Sequence, residues 1–212
     1  MQIKIPLTGF LVFLAGFLFS QNSPMDAASV NRLKTHIEES AGRTNTITAN
    51  FTQEKEMSIL DEKIRSSGKF YFKRERLLRR EYTTPYSYLI IINNDRITVR
   101  DESKTSHFDS RGNNVFSEVN RIIVGSIRGT LLYDEQNFRQ SYLESSNAFI
   151  VKLVPLSAGL KSSLREITLY FNKQDYSVDR LDITENTGDK TVIVFSGKVF
   201  NEPLADEKFS AR

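Results

Sequence analysis

Hydrophobic positions change their period twice along this chain. Leu7 to Phe19 is one unbroken apolar run; Val30, Leu33, Ile37 and Ala41 then recur at helical spacing; from Ile47 onward apolar and polar residues alternate. The middle pattern predicts a single amphipathic helix. Ser23-Pro24-Met25-Asp26 reads as its start, with Ser23 accepting from free amides, proline in the first turn and a carboxylate at the positive dipole end, and Gly42 reads as its stop. The alternation predicts strands. Ile47, Ala49 and Phe51 share one face against Thr48, Asn50 and Thr52, and Phe70 and Phe72 repeat the pattern after Gly68. Tyr88 to Val99 reads as a hairpin turning at Asn93-Asn94-Asp95. Further strands are expected at residues 137–143, 148–154, 166–171, 177–184 and 190–195. A second helix is expected at 118–128, from Val119, Ile122, Ile123 and Ile127 ahead of Gly129. Many short strands with two helices define an α+β fold, with the helices packed on one face of a curved antiparallel sheet.

The first apolar run has a separate meaning. It follows Lys4 and the terminal amine, and is shorter than the roughly 20 apolar residues that span a bilayer, which fits an export signal. Cleavage is expected near Ser20, the alternative being an uncleaved N-terminal anchor. Residues 21–212 show no repeat, low-complexity run or linker and read as one domain, located outside the cytoplasm.

Composition then removes most chemistry. Zero cysteine excludes disulfides, thiol nucleophiles and thiolate metal sites, and two histidines, His36 and His107, leave little for metal or general-base work. Both histidines read as solvated, His36 on the polar side of the first helix and His107 in a polar loop. A net charge of +3 is too mild for a nucleic-acid partner. Gly125-Ser126-Ile127-Arg128-Gly129 lacks the spacing and context of a nucleophile elbow, and no phosphate loop or dinucleotide fingerprint occurs. No enzyme activity, cofactor or metal is expected.

The stretch from Gly68 to Pro85, GKFYFKRERLLRREYTTP, carries more. Counted by twos, Phe70, Phe72 and Arg74 fall on one face and Lys69, Tyr71 and Lys73 on the other. A guanidinium behind two phenylalanines needs partners for five donors. Alternatively the strand ends at Lys73 and Arg74 lies solvated in a turn. Lys73, Arg74, Arg76, Arg79 and Arg80 together read either as a docking face for an acidic partner or as a solvated edge that blocks strand pairing.

Phe51-Thr52-Gln53-Glu54-Lys55, the Gly68–Pro85 segment and the Leu89–Val99 hairpin resemble the outer-membrane lipoprotein carrier family, LolA. Gly68, Lys73, Arg74 and Pro85 fall at the family's spacing, and Asp26-Ala27-Ala28-Ser29 is similar to its mature start, which suggests cleavage after Met25. The resemblance implies a sharply curved sheet, an incomplete β-barrel, closed by a helical lid. It implies a monomeric periplasmic chaperone that holds lipoprotein acyl chains in an apolar cavity. Its partners would be an inner-membrane ABC-type transporter and an outer-membrane receptor. It assigns Arg74 as a latch on lid backbone carbonyls, with Phe51, Phe70, Phe72, Leu78, Tyr82, Phe149, Phe171 and Phe195 lining the acyl cavity. The departures are Glu75 in place of proline, Leu78 and Arg80 in place of aromatics, no tryptophan, and a short C-terminal stretch after Asn201. An altered cavity fits altered cargo, so a binding protein of the same fold for another lipid, a glycolipid or polyene ester, is the second reading.

Overall fold

In a computed structural model, residues 22–59, 62–74, 76–94, 96–109 and 115–210 are described. The elements run β1 (Ser23–Pro24), α1 (Ala27–Arg43), β2 (Thr46–Met57), β3 (Glu62–Lys73), β4 (Leu77–Thr84), β5 (Tyr88–Asn93), β6 (Arg96–Arg100) and β7 (Thr105–Asp109). After them come α2 (Val115–Ile127), a 3-10 turn (Thr130–Tyr133), β8 (Phe138–Glu144), β9 (Ala148–Pro155), α3 (Ala158–Lys161), β10 (Leu164–Asn172), β11 (Val178–Glu185), β12 (Lys190–Phe200) and a 3-10 turn (Asp206–Phe209). The expected export signal lies outside the described residues.

Among the described residues twelve strands form one sheet in the order β1-β8-β9-β10-β11-β12-β2-β3-β4-β5-β6-β7, and every neighbouring pair is antiparallel. The two ends, β1 and β7, do not pair with each other, so the sheet curves without closing. Its concave surface is set by register. Ile47, Phe72, Leu78, Ile92 and Ile97 stand opposite one another across β2 to β6. Val151, Leu169, Leu181 and Ile193 do the same across β9 to β12. Leu33 and Ile37 of α1 and Ile122 and Ile123 of α2 bury against these rows in one hydrophobic cluster, so both helices cover the concave face.

Several local expectations are corrected. The first helix is capped by Asp26, whose carboxylate accepts from the Ser29 amide at 2.7 Å, whereas Ser23 and Pro24 pair with Glu144 and Leu143 as an edge strand. A carboxylate one residue before the helix satisfies the free amides directly and leaves Ser23 to the sheet. The helix ends at Arg43, with Thr44 as its C-cap, one residue beyond the expected stop at Gly42. His107 sits in strand β7, its Nδ1 3.0 Å from the Thr98 hydroxyl, where a polar loop was expected. That strand is an exposed edge and lacks apolar alternation, which is why its pattern reads as loop.

Two glycines shape the sheet. At Gly68 a Cβ would lie 1.8 Å from the Glu81 carbonyl oxygen, at the register shift between Ser67 and Gly68, so the β3–β4 backbones approach too closely for any side chain. Gly129, at φ 68°, turns the chain between α2 and the following 3-10 turn.

Candidate functional site

Strand β3 ends at Lys73, and Arg74 lies exposed in the turn that follows. The turn is pinned to the start of β2 by a 2.7 Å bond from the Arg74 amide to the Asn45 carbonyl. From there the guanidinium reaches the C-terminal end of α1. Nη2 donates to the Ala41 carbonyl at 3.3 Å and to the Gly42 carbonyl, and Nε and Nη2 donate to the Thr44 carbonyl at 3.4 Å. These carbonyls lie at the negative dipole end of the helix, where Ala41 also accepts the capping Thr44 amide at 3.2 Å, and a forked cation suits them. Thus the turn reading is right about the backbone, while the exposed side chain also reaches helix carbonyls.

Under that contact the apolar side chains of sheet and helices pack together. A hollow of about 40 Å³ lies between α1, the end of α2 and strands β2, β3, β11 and β12, lined by Ile37, Ala41, Ile127, Phe70 and Phe195. That space suits a few waters, not an alkyl chain. Beside it Arg74, Phe72, Ala41, Gly42 and Ile127 line a cleft of about 260 Å³. Phe51, Leu78, Tyr82 and Phe171 are buried elsewhere in the same apolar cluster, and Phe149 packs on its margin, its ring stacked 6.0 Å from Tyr176. Hence Phe70, Phe72 and Phe195 border the hollow or the cleft, Phe51, Leu78, Tyr82 and Phe171 are buried in the cluster, and Phe149 packs half-buried on its margin. A third cleft, about 580 Å³, lies between α2, β8 and α3, and contains none of the expected site residues.

The basic segment does not form one face. Lys73 and Arg79 point to the convex side and hold the C-terminal stretch. Lys73 Nζ donates to the Leu204 carbonyl at 2.7 Å and pairs with Asp206 at 2.5 Å, and Arg79 Nη1 donates to the Lys208 and Ser210 carbonyls at 2.9 and 3.2 Å. Phe209, 1% exposed, seats on Leu89 and Ile91. Burial acts upward on the Glu81 carboxyl, but the bonds from Arg79 and Lys208 more than offset it and hold it below its ordinary value.

Arg80 points the other way. It is 3% exposed, inside the sheet, and belongs to no surface patch. Sequence reading placed it with the basic cluster, yet its parity on β4 matches Leu78 and Tyr82, which were placed inside. That parity was the available signal. Next to it, burial first and then neighbouring Tyr82, on which its ring stacks, push the Tyr88 phenol above its ordinary value, with Arg80 pulling only partly back.

These features define a class, the open antiparallel half-barrel whose apolar concave face is roofed by helices. The model of the family described as outer membrane lipoprotein carrier protein LolA matches residues 42–212, and the chain belongs to that family. No curated protein sequence matches the chain. Among solved structures, the Pseudomonas aeruginosa MucA/MucB complex is similar with TM-score 0.51 at 10% identity, covering 87% of this chain and 61% of that one. Mycobacterium tuberculosis lipoprotein LppX is similar with TM-score 0.48 at 14% identity, covering 85% and 99%. A LolA superfamily protein from Nitrosomonas europaea is similar with TM-score 0.46 at 10% identity, covering 84% and 97%. The likeness to the MucA/MucB complex at this identity shows the fold alone.

Proposed function

We propose that this protein is a periplasmic carrier that takes the acyl chains of lipoproteins into the space between sheet and helices and moves them from the inner to the outer membrane. The observation that carries the reading is the pairing of an apolar interior with a roof helix tied down at one end by Arg74. Burying an alkyl chain is worth roughly 0.8 kcal/mol per methylene, so an acylated protein does not cross an aqueous compartment bare. A carrier must supply that burial and also give the cargo up. A hollow of about 40 Å³ must widen to admit a chain, which means displacing α1 or α2. Arg74 would act as the latch: cargo binding offsets its bonds to Ala41, Gly42 and Thr44, and their return favours unloading. Phe70, Phe72 and Phe195 would meet the chain first. Residues 1–20 would direct export, an inner-membrane ABC-type transporter would load the carrier, and an outer-membrane receptor would unload it. The chemistry required is binding, with no catalytic step.

Native mass spectrometry of the protein taken from the periplasm, followed by lipid extraction, tests this. The expected ligand is an acylated polypeptide. A glycolipid or polyene ester in its place would move the protein to a lipid-binding role on the same fold. Recovery of protein free of any acyl compound, under conditions that retain bound lipid in a control carrier, would overturn both.

A further inference from the structure

The cleft beside Arg74 and the hollow beneath α1 are neighbours. Exposed Glu38, Arg74, Arg128 and Thr130 line the cleft on its outer side, and Phe72 and Ile127 give it apolar walls. The residues that line both spaces are Ala41, Thr44 and Ile127, so these stand between them. Two of the three belong to the end of α1 that Arg74 holds, since its guanidinium bonds the Ala41 and Thr44 carbonyls. The third, Ile127, is the last residue of α2 and is half-buried. Past it the chain turns at Gly129, where a Cβ would come within 3.1 Å of Ile37, so the end of α2 sits close on α1. From cleft to hollow the sheet offers an apolar track. Phe72 in the cleft and Phe70 in the hollow are two residues apart on one face of β3, about 7 Å along the strand. Their partners on β2 are Ile47 and Ala49, and Ala49, with a methyl group alone, leaves room opposite Phe70.

We infer that this cleft is the entrance for the cargo's acyl chain and that Ile127 is its gate. The inference rests on the carrier reading above and adds to it the route and the residue that controls transit. A chain end arriving between the two helix ends meets Phe72 first, passes the Ile127 side chain, and reaches Phe70 and Phe195. Release of the Arg74 bonds frees the α1 side of the partition. The α2 side yields only when Ile127 leaves its seat against the apolar cluster. Ile127 has to move in the same way on entry and on exit, so its burial acts on the barrier and slows both directions. A residue that merely lines the occupied space acts instead on how tightly the chain is held, and so on release.

The chain has no cysteine, so a pair placed at the partition reacts alone. In the double variant Ala41→Cys/Ile127→Cys a short, reducible bis-methanethiosulfonate joins α1 to α2 across the gate, as confirmed by mass. With a fluorescent palmitoylated peptide as the probe, uptake is expected to stop in the bridged protein and to return on reduction, and protein bridged after loading should keep its probe. Stopped-flow rates of uptake and release then test the side chain itself. Ile127→Ala should raise both by about three- to tenfold, the worth of half the burial of such a side chain, and Ile127→Trp should lower both. Circular dichroism checks folding; should the double variant fail to fold, the two single variants decide. A bridged protein that loads at the unbridged rate would overturn the gate and leave the carrier reading standing. An Ile127→Ala protein with unchanged uptake, whether or not its release quickens, would do the same. Wild-type protein that takes up no probe would remove the carrier reading and the gate with it.

Discussion

Replacing Arg74 by leucine isolates the tie between the β3–β4 turn and the roof helix. The guanidinium donates to three carbonyls at the end of α1. Bonds to a charged donor are worth about 1.5–3 kcal/mol each when dry, and a cation at a helix C-terminus about 0.3–1 kcal/mol at the surface. Arg74 is exposed, and three of its four contacts are long, so the sum is discounted to about 1–2 kcal/mol. That energy shifts the balance between seated and lifted helix by a factor of about 5–30. Two readouts follow. Hydrogen exchange of the α1 amides from Ile37 to Thr44 should quicken by that factor, while β2 amides stay protected. Protein loaded with a synthetic acylated peptide should release it to acceptor vesicles more slowly, because re-formation of the tie no longer drives expulsion. Arg74→Lys keeps the charge but not the fork and should fall between. Unchanged exchange and unchanged release in Arg74→Leu would refute the latch; faster exchange with unchanged release would reduce Arg74 to an anchor for the helix end.

Gly68→Ala should lower stability by about 1–3 kcal/mol, read as a lower urea midpoint, because its Cβ would collide with the Glu81 carbonyl; a wild-type midpoint would refute the close approach. Phe209→Ala should release the C-terminal stretch from Leu89 and Ile91, so that trypsin cuts after Lys208 faster than in the wild type while the rest of the chain resists; equal cutting rates would show that Phe209 does not hold it. Glu81 is held below its ordinary value of 4.5, so its contribution is complete above that pH and is lost as pH falls through the lower folded value. The thermal midpoint should therefore drop below pH 4.5, and Glu81→Gln should flatten that part of the profile. Phe70→Trp should fill the 40 Å³ hollow and weaken uptake of an acyl probe without unfolding the protein, as checked by circular dichroism and dye binding.

Much of the architecture was legible because burial on one face leaves a period-two trace. Ile47, Ala49 and Phe51, then Phe70 and Phe72, mark a strand pair that the structure aligns in register, and the late strands differ from expectation by a residue or two except β12, which runs on to Phe200. What was not legible has physical reasons. The edge strand β7 buries little and so shows no alternation. The C-terminal stretch binds through backbone carbonyls accepting from Lys73 and Arg79, and carbonyls leave no mark in a sequence. For the same cause the acceptors of Arg74 were invisible from residues alone, and only the family resemblance pointed to them. Arg80 was misplaced because charge was weighed above parity, although Leu78 and Tyr82 on either side had already set the direction of the strand's even positions.

The sheet's two ends never meet. A closed barrel fixes its girth through an unbroken ring of ladder bonds, and swelling it means snapping some of them. Here β1 and β7 can swing apart as the fingers of a cupped hand do, with every ladder bond between neighbouring strands intact, and the resistance comes from side chains under the two helices. Under the proposed carrier role, a sheet without a closed ring could widen around one acyl chain or several without breaking its ladder.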